Sequence, residues 1–195
     1  MNKGVVSVLV AYLIWGLYPF YFHAMQHVAP TEIVIHRVLW TFALLAVYLF
    51  CSRRWRWIQK AITDRRTVAV FLMSSVLITA NWSTYTYAIV TNQTLEASLG
   101  YFMNLLVSVT VFLKEKLNKA QMLAIVFACA GVMWVTFKQG EFPALGLTLA
   151  LSFGFYGLVR KMAPLGSLEG LTLETAFAFP VALLATFYFA GNGDL

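Results

Sequence analysis

The sequence predicts an all-α, polytopic transmembrane helix bundle, and three observations carry that reading. Of its 195 residues, 61% are hydrophobic and only 11% charged, with a mean hydropathy of +0.75. A soluble domain carries about 25% charged residues, so most of this chain is not built to face water. Apolar runs of some twenty residues recur along the chain, and each is long enough at 1.5 Å per residue to cross a ~30 Å hydrocarbon core. The Lys and Arg residues gather in alternate breaks between those runs, as the positive-inside rule requires of a multi-pass protein.

The apolar pattern predicts about seven spans, at 4–23, 31–51, 67–90, 95–113, 119–137, 143–160 and 170–190. The first follows Lys3 and continues through Tyr18, Phe20, Tyr21 and Phe22 with no small-x-small cleavage site, so it reads as a retained helix. The breaks carry turn or charge chemistry: Pro30, the basic stretch 52–66, Asn92-Gln93, Lys114 to Lys119, Gly140 to Pro143, and Pro164 to Gly170. The stretch 52–66 is the longest and only about a helix long, which leaves no room for a soluble domain. Asn92-Gln93-Thr94 matches a glycosylation acceptor but reads as a tight turn.

Charge then sets the orientation. With the N-terminus inside, the inner loops hold Lys3, Arg53, Arg54, Arg56, Lys60, Arg65, Arg66, Lys114, Lys116, Lys119, Arg160 and Lys161, twelve of the fourteen basic residues. Lys138 falls outside and Arg37 within a span. The expected location is the cell (inner) membrane, with a cytoplasmic N-terminus. The net charge of +6 does not point to nucleic acid: in Arg53-Arg54-Trp55-Arg56-Trp57 the rings and cations form an interfacial belt at the headgroups. The expected partners are the lipid bilayer and a small-molecule substrate, with no nucleic acid and a homodimer left open. Cys51 and Cys129 fall at different depths and read as small buried apolar residues rather than a disulfide.

An internal repeat organises the spans. Tyr12-x-x-Trp15-Gly16 recurs as Phe153-x-x-Tyr156-Gly157, and Glu32 and Arg37 have counterparts in Glu169 and Glu174. If five spans form one unit, the next unit enters from the opposite face, which is the inverted-topology plan of many secondary transporters. Residues 1–140 then form the first repeat, and 141–195 the start of a second, incomplete one. The expectation is a fragment of a ten-helix protein; the alternative is a complete seven-helix facilitator or receptor-like membrane protein.

Several local motifs carry a family resemblance. Trp15-Gly16 with Pro19, His36-Arg37, Asn81-Trp82, Leu95 to Phe102, and Phe155 to Lys161 together resemble the RarD-like permeases of the EamA family, within the drug/metabolite transporter superfamily. The resemblance implies a bacterial inner-membrane permease of ten helices in two EamA repeats, and it supplies no substrate. Asn104-Leu105 replaces an expected Asn-Pro pair, and Lys114-Glu115-Lys116 an expected Gly-Glu-Arg type of turn.

Polar groups at membrane depth are costly and mark cavities or helix contacts. At 100° per residue, Tyr12, Trp15, Gly16, Pro19 and His23 share one face of the first span. Ser74, Asn81, Tyr85 and Ala88 share a face of the third with Trp82 at its edge, and Ser98, Tyr101, Asn104 and Ser108 one of the fourth. From these come the substrate-binding candidates Tyr12, Trp15, Asn81, Trp82, Tyr85, Tyr101 and Asn104, joined by Tyr156 as the repeat counterpart of Trp15. Rings would stack an organic solute and amides orient it. The competing role is interhelical hydrogen bonding, favoured for the serines, at about 0.6 kcal/mol per bond.

The charged candidates for ion pairing or coupling are His36, Arg37, Glu96 and Glu174. Arg37 lies about two turns into its span and Glu96 opens another on the same side, so the two are expected to pair. Glu96 also suits the first turn of a helix capped by Thr94. His36 and Glu174 are proton-carrying candidates, although Glu174 is equally placed to pair with Arg160 or Lys161. Gly146, Ala150 and Gly154, like Ala124 and Ala128, have the small-xxx-small spacing of close helix packing. No Walker glycine loop appears, and His23, His27 and His36 lack a matching carboxylate pair. The expectation is therefore no enzyme, no metal and no cofactor: a secondary transporter of a small organic metabolite or drug, working by alternating access.

Overall fold

The computed structural model describes residues 3–53, 55–107, 119–140 and 142–192. They form eight α-helices: α1 (Lys3–Ala24), α2 (Pro30–Ser52), α3 (Arg56–Thr63), α4 (Arg65–Val90), α5 (Thr94–Val107), α6 (Lys119–Gln139), α7 (Ala144–Met162) and α8 (Ser167–Asn192). Among the described residues there is no strand. The chain is an all-α polytopic membrane bundle.

Among the described residues, four helices are long and apolar enough to cross a membrane: Gly4–Ala24, Pro30–Ser52, Arg65–Val90 and Ser167–Gly191. The other three expected spans coincide with α5, α6 and α7. α7 carries Arg160 and Lys161 in its last turn, which lowers its apolar character at that end. The basic stretch contributes a helix of its own, the short α3, with Trp57 and Ala61 packed inward and Arg56 and Lys60 exposed.

The helix ends follow from their residues. Pro30 opens α2, where a missing N–H costs nothing. Asp64 caps α4: its carboxylate accepts from the N–H groups of Arg66 (3.3 Å) and Thr67 (3.2 Å) and from the Thr67 hydroxyl. That hydroxyl bond, then the backbone bond from the same residue, holds the Asp64 carboxyl below its ordinary range. The turn after α4 depends on Asn92 at φ +63°, a left-handed conformation that asparagine tolerates. Thr94, expected as a cap, is already helical, and the preceding carbonyl of Gln93 receives the first bond, from the Ala97 N–H.

α4 is the hub of the bundle, touching α1, α2, α3, α5, α7 and α8. A third of its apolar window is buried, against 6% for α1, which rests on α4 at the margin. At one end of the bundle Gln26 donates to Asn92 (2.7 Å), tying the α1–α2 and α4–α5 turns together. Phe22, Ile33, Ala88, Ile89, Ala97 and Leu149 form a core there. α3 marks the opposite end, where Ala61, Phe71 and Leu173 pack with Trp57 and Leu165. α1 finishes at the Gln26–Asn92 end, where α7 begins beside Glu96, so α1 and α7 run in opposite directions.

α5 and α7 cross closely on glycines. A Cβ added to Gly100 would lie 2.8 Å from the Gly146 carbonyl oxygen and 2.9 Å from Leu149 Cβ. Only glycines permit that approach. Gly146, Ala150 and Gly154, the small residues spaced by four, are all buried on α7. Cys51 and Cys129, expected to be buried, are exposed thiols instead. The outer surface of a membrane helix is itself apolar, so a thiol gains little from turning inward.

Candidate functional site

A cavity of about 560 Å³ lies between α1, α2, α4, α5 and α7. Its size is within the range of small-molecule sites, about 300–1,000 Å³. α1 contributes Tyr12, Trp15, Tyr18 and Pro19; α4 contributes Asn81, Trp82, Tyr85 and Ile89. α5 adds Thr94, Ala97, Ser98, Tyr101, Phe102 and Asn104, α7 adds Phe153, and α2 adds Arg37. Seven of the eight substrate-binding candidates, all those drawn from helical periodicity, therefore border one space. Ser108, from the same stripe, lies outside the described residues. Tyr18, Phe102 and Phe153 were not singled out, although Phe153 was visible as the repeat counterpart of Tyr12.

The wall is a connected run of rings. Tyr18 meets Phe22 edge-on at 6.0 Å between centroids, Phe22 meets Tyr85 at 5.9 Å, and Tyr85 meets Tyr101 at 5.8 Å. Tyr101 continues to Phe153 (6.0 Å), and Phe153 to Tyr156 (5.8 Å). The edge-to-face pairs among them are attractive at this spacing and hold the wall in shape. Trp15, 54% exposed, and Tyr12 leave the α1 side open. Asn81 is buried and braces the wall: its amide donates to the Leu149 carbonyl (3.3 Å) and the Ser152 hydroxyl (3.1 Å), joining α4 to α7.

Tyr156 is the residue of the eight that does not line the cavity. Its hydroxyl donates to Glu174 (3.3 Å), one turn further toward the α3 end. There a buried polar cluster joins α4, α7 and α8. Glu174, 1% exposed, receives the Ser74 hydroxyl and sits 3.6 Å from Arg160 Nε. Its backbone carbonyl accepts from Ser75 (2.6 Å). Arg160 stacks over Phe71 (5.2 Å), donates to the Gly166 carbonyl (3.3 Å) and fills the space that a side chain at position 170 would need. Of the two partners open to Glu174, the structure selects Arg160.

The expected pair between Arg37 and Glu96 does not form. Glu96 Oε1 instead accepts from the N–H groups of Leu145 (2.9 Å) and Gly146 (3.5 Å), the unsatisfied donors in the first turn of α7. Pro143 precedes that turn and offers no side-chain cap. An acid on the neighbouring helix does the capping, and the positive end of α7 holds it there. Arg37 turns the other way, its guanidinium carbon 4.1 Å from the Trp82 ring centre and 6.0 Å from that of Tyr18. His36 is exposed and 4.0 Å from Glu32 on its own helix, away from both the cavity and Glu174.

With this geometry in hand, comparison with known proteins places the chain. The sequence profile of the EamA-like transporter family matches residues 2–137. The chain belongs to that family. It is 40% identical over 188 residues to the uncharacterized transporter YojE of Bacillus subtilis, covering 93% of this chain and 63% of that protein. It is 38% identical over 194 residues to the protein RarD of Escherichia coli, covering 98% and 66%. An uncharacterized transporter of Vibrio cholerae is 39% identical over 192 residues, covering 97% and 64%. The chain spans about two thirds of the length of these relatives. It is thus a RarD-like EamA-family chain, and no solved structure matches it.

Proposed function

We propose that the protein is a secondary transporter, not an enzyme, which carries a small organic metabolite or drug across the cell membrane by alternating access. The observation that carries this reading is the 560 Å³ cavity, walled by rings from four helices and open beside α1. Membership of the EamA-like transporter family and relatives named as transporters support it.

The mechanism follows from which contacts are rigid and which are slight. α5 and α7 cross on paired glycines, and Asn81 fastens α4 to α7, so these three helices move together. α1 rests on α4 with few buried residues and closes one side of the cavity. Shifting α1 opens or shuts that side without breaking the α4–α5–α7 wall. The opposite directions of α1 and α7, with a family match that ends at residue 137, support a first repeat over 1–140 and an inverted second repeat from 141 onward. The α3 end is cytoplasmic in this proposal, because Arg53, Arg56, Lys60, Arg65, Arg66, Arg160 and Lys161 gather there. Glu174 acts there as an interhelical tie to Arg160, and its place beside Tyr156 couples that tie to the cavity wall.

The test is counterflow in proteoliposomes containing the purified protein. Vesicles preloaded with an unlabelled aromatic solute accumulate its labelled form transiently, and Tyr101→Ala with Trp15→Ala abolishes that accumulation. Accumulation equal to that of protein-free vesicles across aromatic amines, acids and neutral amides would overturn the proposal.

A further inference from the structure

Among the described residues that line the cavity, Arg37 is the one charged side chain. Every acid among the described residues is engaged elsewhere. Glu32 stands beside His36, Asp64 caps α4, and Glu96 caps α7. Glu169 accepts from the Gly166 N–H (3.3 Å), and Glu174 is paired with Arg160. Arg37 has no carboxylate within 4.0 Å and no hydrogen bond to any described residue, only the faces of Trp82 and Tyr18. Stacking on Trp82 uses the flat face of a guanidinium and leaves its N–H edge available, the edge that matches a carboxylate with two parallel hydrogen bonds.

Resting on the transport reading above, we propose that Arg37 is the anchor for the carboxylate of an aromatic organic anion. An uncompensated cation in a cavity otherwise walled by rings, amides and hydroxyls repels a cationic solute and gives a neutral one little. An anion supplies the charge that the described acids do not. The distance between Arg37 and the ring wall of Tyr85, Tyr101 and Phe153 then sets the solute's shape: a flat apolar body on the rings, with its carboxylate on the guanidinium. Trp82 fixes the guanidinium plane and so acts as a positioning residue.

The test uses three near-isosteric probes, 1-naphthylacetate, 1-naphthylacetamide and 1-naphthylethylamine, titrated into the detergent-purified protein by calorimetry. The anion binds at least about tenfold more tightly than the neutral amide, and the amine not measurably. Arg37→Gln brings the anion down to the level of the amide and leaves the amide unchanged, while Arg37→Lys keeps part of the preference. Equal affinity of anion and amide in the unaltered protein overturns the proposal and leaves the cavity reading standing, a comparison that needs no variant to fold. A parallel loss for anion and amide in Arg37→Gln also overturns it, because a structural arginine would behave that way. Binding of none of the three probes overturns the cavity reading with it.

Discussion

Two arginines in this bundle sit against aromatic rings, and their surroundings differ in one respect. Arg160 stacks on Phe71 and also has Glu174, Ser74's partner, at 3.6 Å. Arg37 stacks on Trp82 and has no acid among the described residues. The first arrangement closes on itself and fastens α7 to α8. The second leaves a charge facing a cavity, at a depth where burying a charge is expensive. A neutralised cation holds helices together; in the proposal above the unneutralised one receives an anion that comes and goes.

The largest expected effect breaks the first arrangement. Glu174→Ala leaves the half-buried Arg160 without its counter-charge and lowers stability by about 3–5 kcal/mol, whereas Arg37→Gln removes only a ring contact worth about 0.5–2 kcal/mol. Thermal unfolding of the two variants in one detergent checks the contrast, and equal losses erase it. Next comes the α5–α7 crossing that holds the cavity wall. Gly100→Ala drives a methyl into the Gly146 carbonyl and costs about 1–3 kcal/mol. Gly157→Ala, with nothing within 4 Å of the new methyl, is neutral or stabilising by up to about 1 kcal/mol.

A smaller effect separates capping from ion pairing at Glu96. Glu96→Ala leaves two N–H groups of α7 unsatisfied and costs about 0.5–2 kcal/mol. Glu96→Gln keeps an acceptor oxygen and costs less, and the Arg37→Gln, Glu96→Gln double variant shows additive losses because the two do not meet. Coupling between them in that cycle would restore the pair. The smallest effect is at Asp64. Its carboxyl titrates below the ordinary range, so its capping contribution is complete above the unfolded-state value and is lost as pH falls through the lower folded-state one. Asp64→Asn therefore narrows the difference between melting temperatures at pH 7 and pH 3, and leaves the neutral-pH value nearly unchanged.

The contrast also shows what a sequence can and cannot disclose in a membrane helix. Tyr12, Trp15, Asn81, Trp82, Tyr85, Tyr101 and Asn104 border one space because a 3.6-residue period lines polar and aromatic groups along each helix, and those stripes are visible without coordinates. Which helices meet is a different kind of information. Glu96 was placed opposite Arg37 by depth alone, but the donors nearest to it belong to α7, whose first turn lies against α5 only because Gly100 and Gly146 allow it. Tyr156 was grouped with the cavity through its repeat position; the buried Glu174 draws its hydroxyl one turn away. The short α3 was hidden in a basic stretch whose charge suggested a loop, because eight residues are too few for periodicity to stand out. The acid at position 64, followed three residues later by Thr67, was the available signal for the cap of α4.

The claim on which the account depends is that the ring-lined space between α1, α4, α5 and α7 holds water and solute within the membrane. Thiol labelling tests it directly, in a background with Cys51 and Cys129 replaced by alanine. Cysteines at Ser98, Tyr85 and Tyr101 are predicted to react with a membrane-impermeant thiosulfonate at least tenfold faster than cysteines at Leu13 and Phe20 on the exposed face of α1. Labelling at the three cavity positions as slow as at Leu13 and Phe20 would contradict the account.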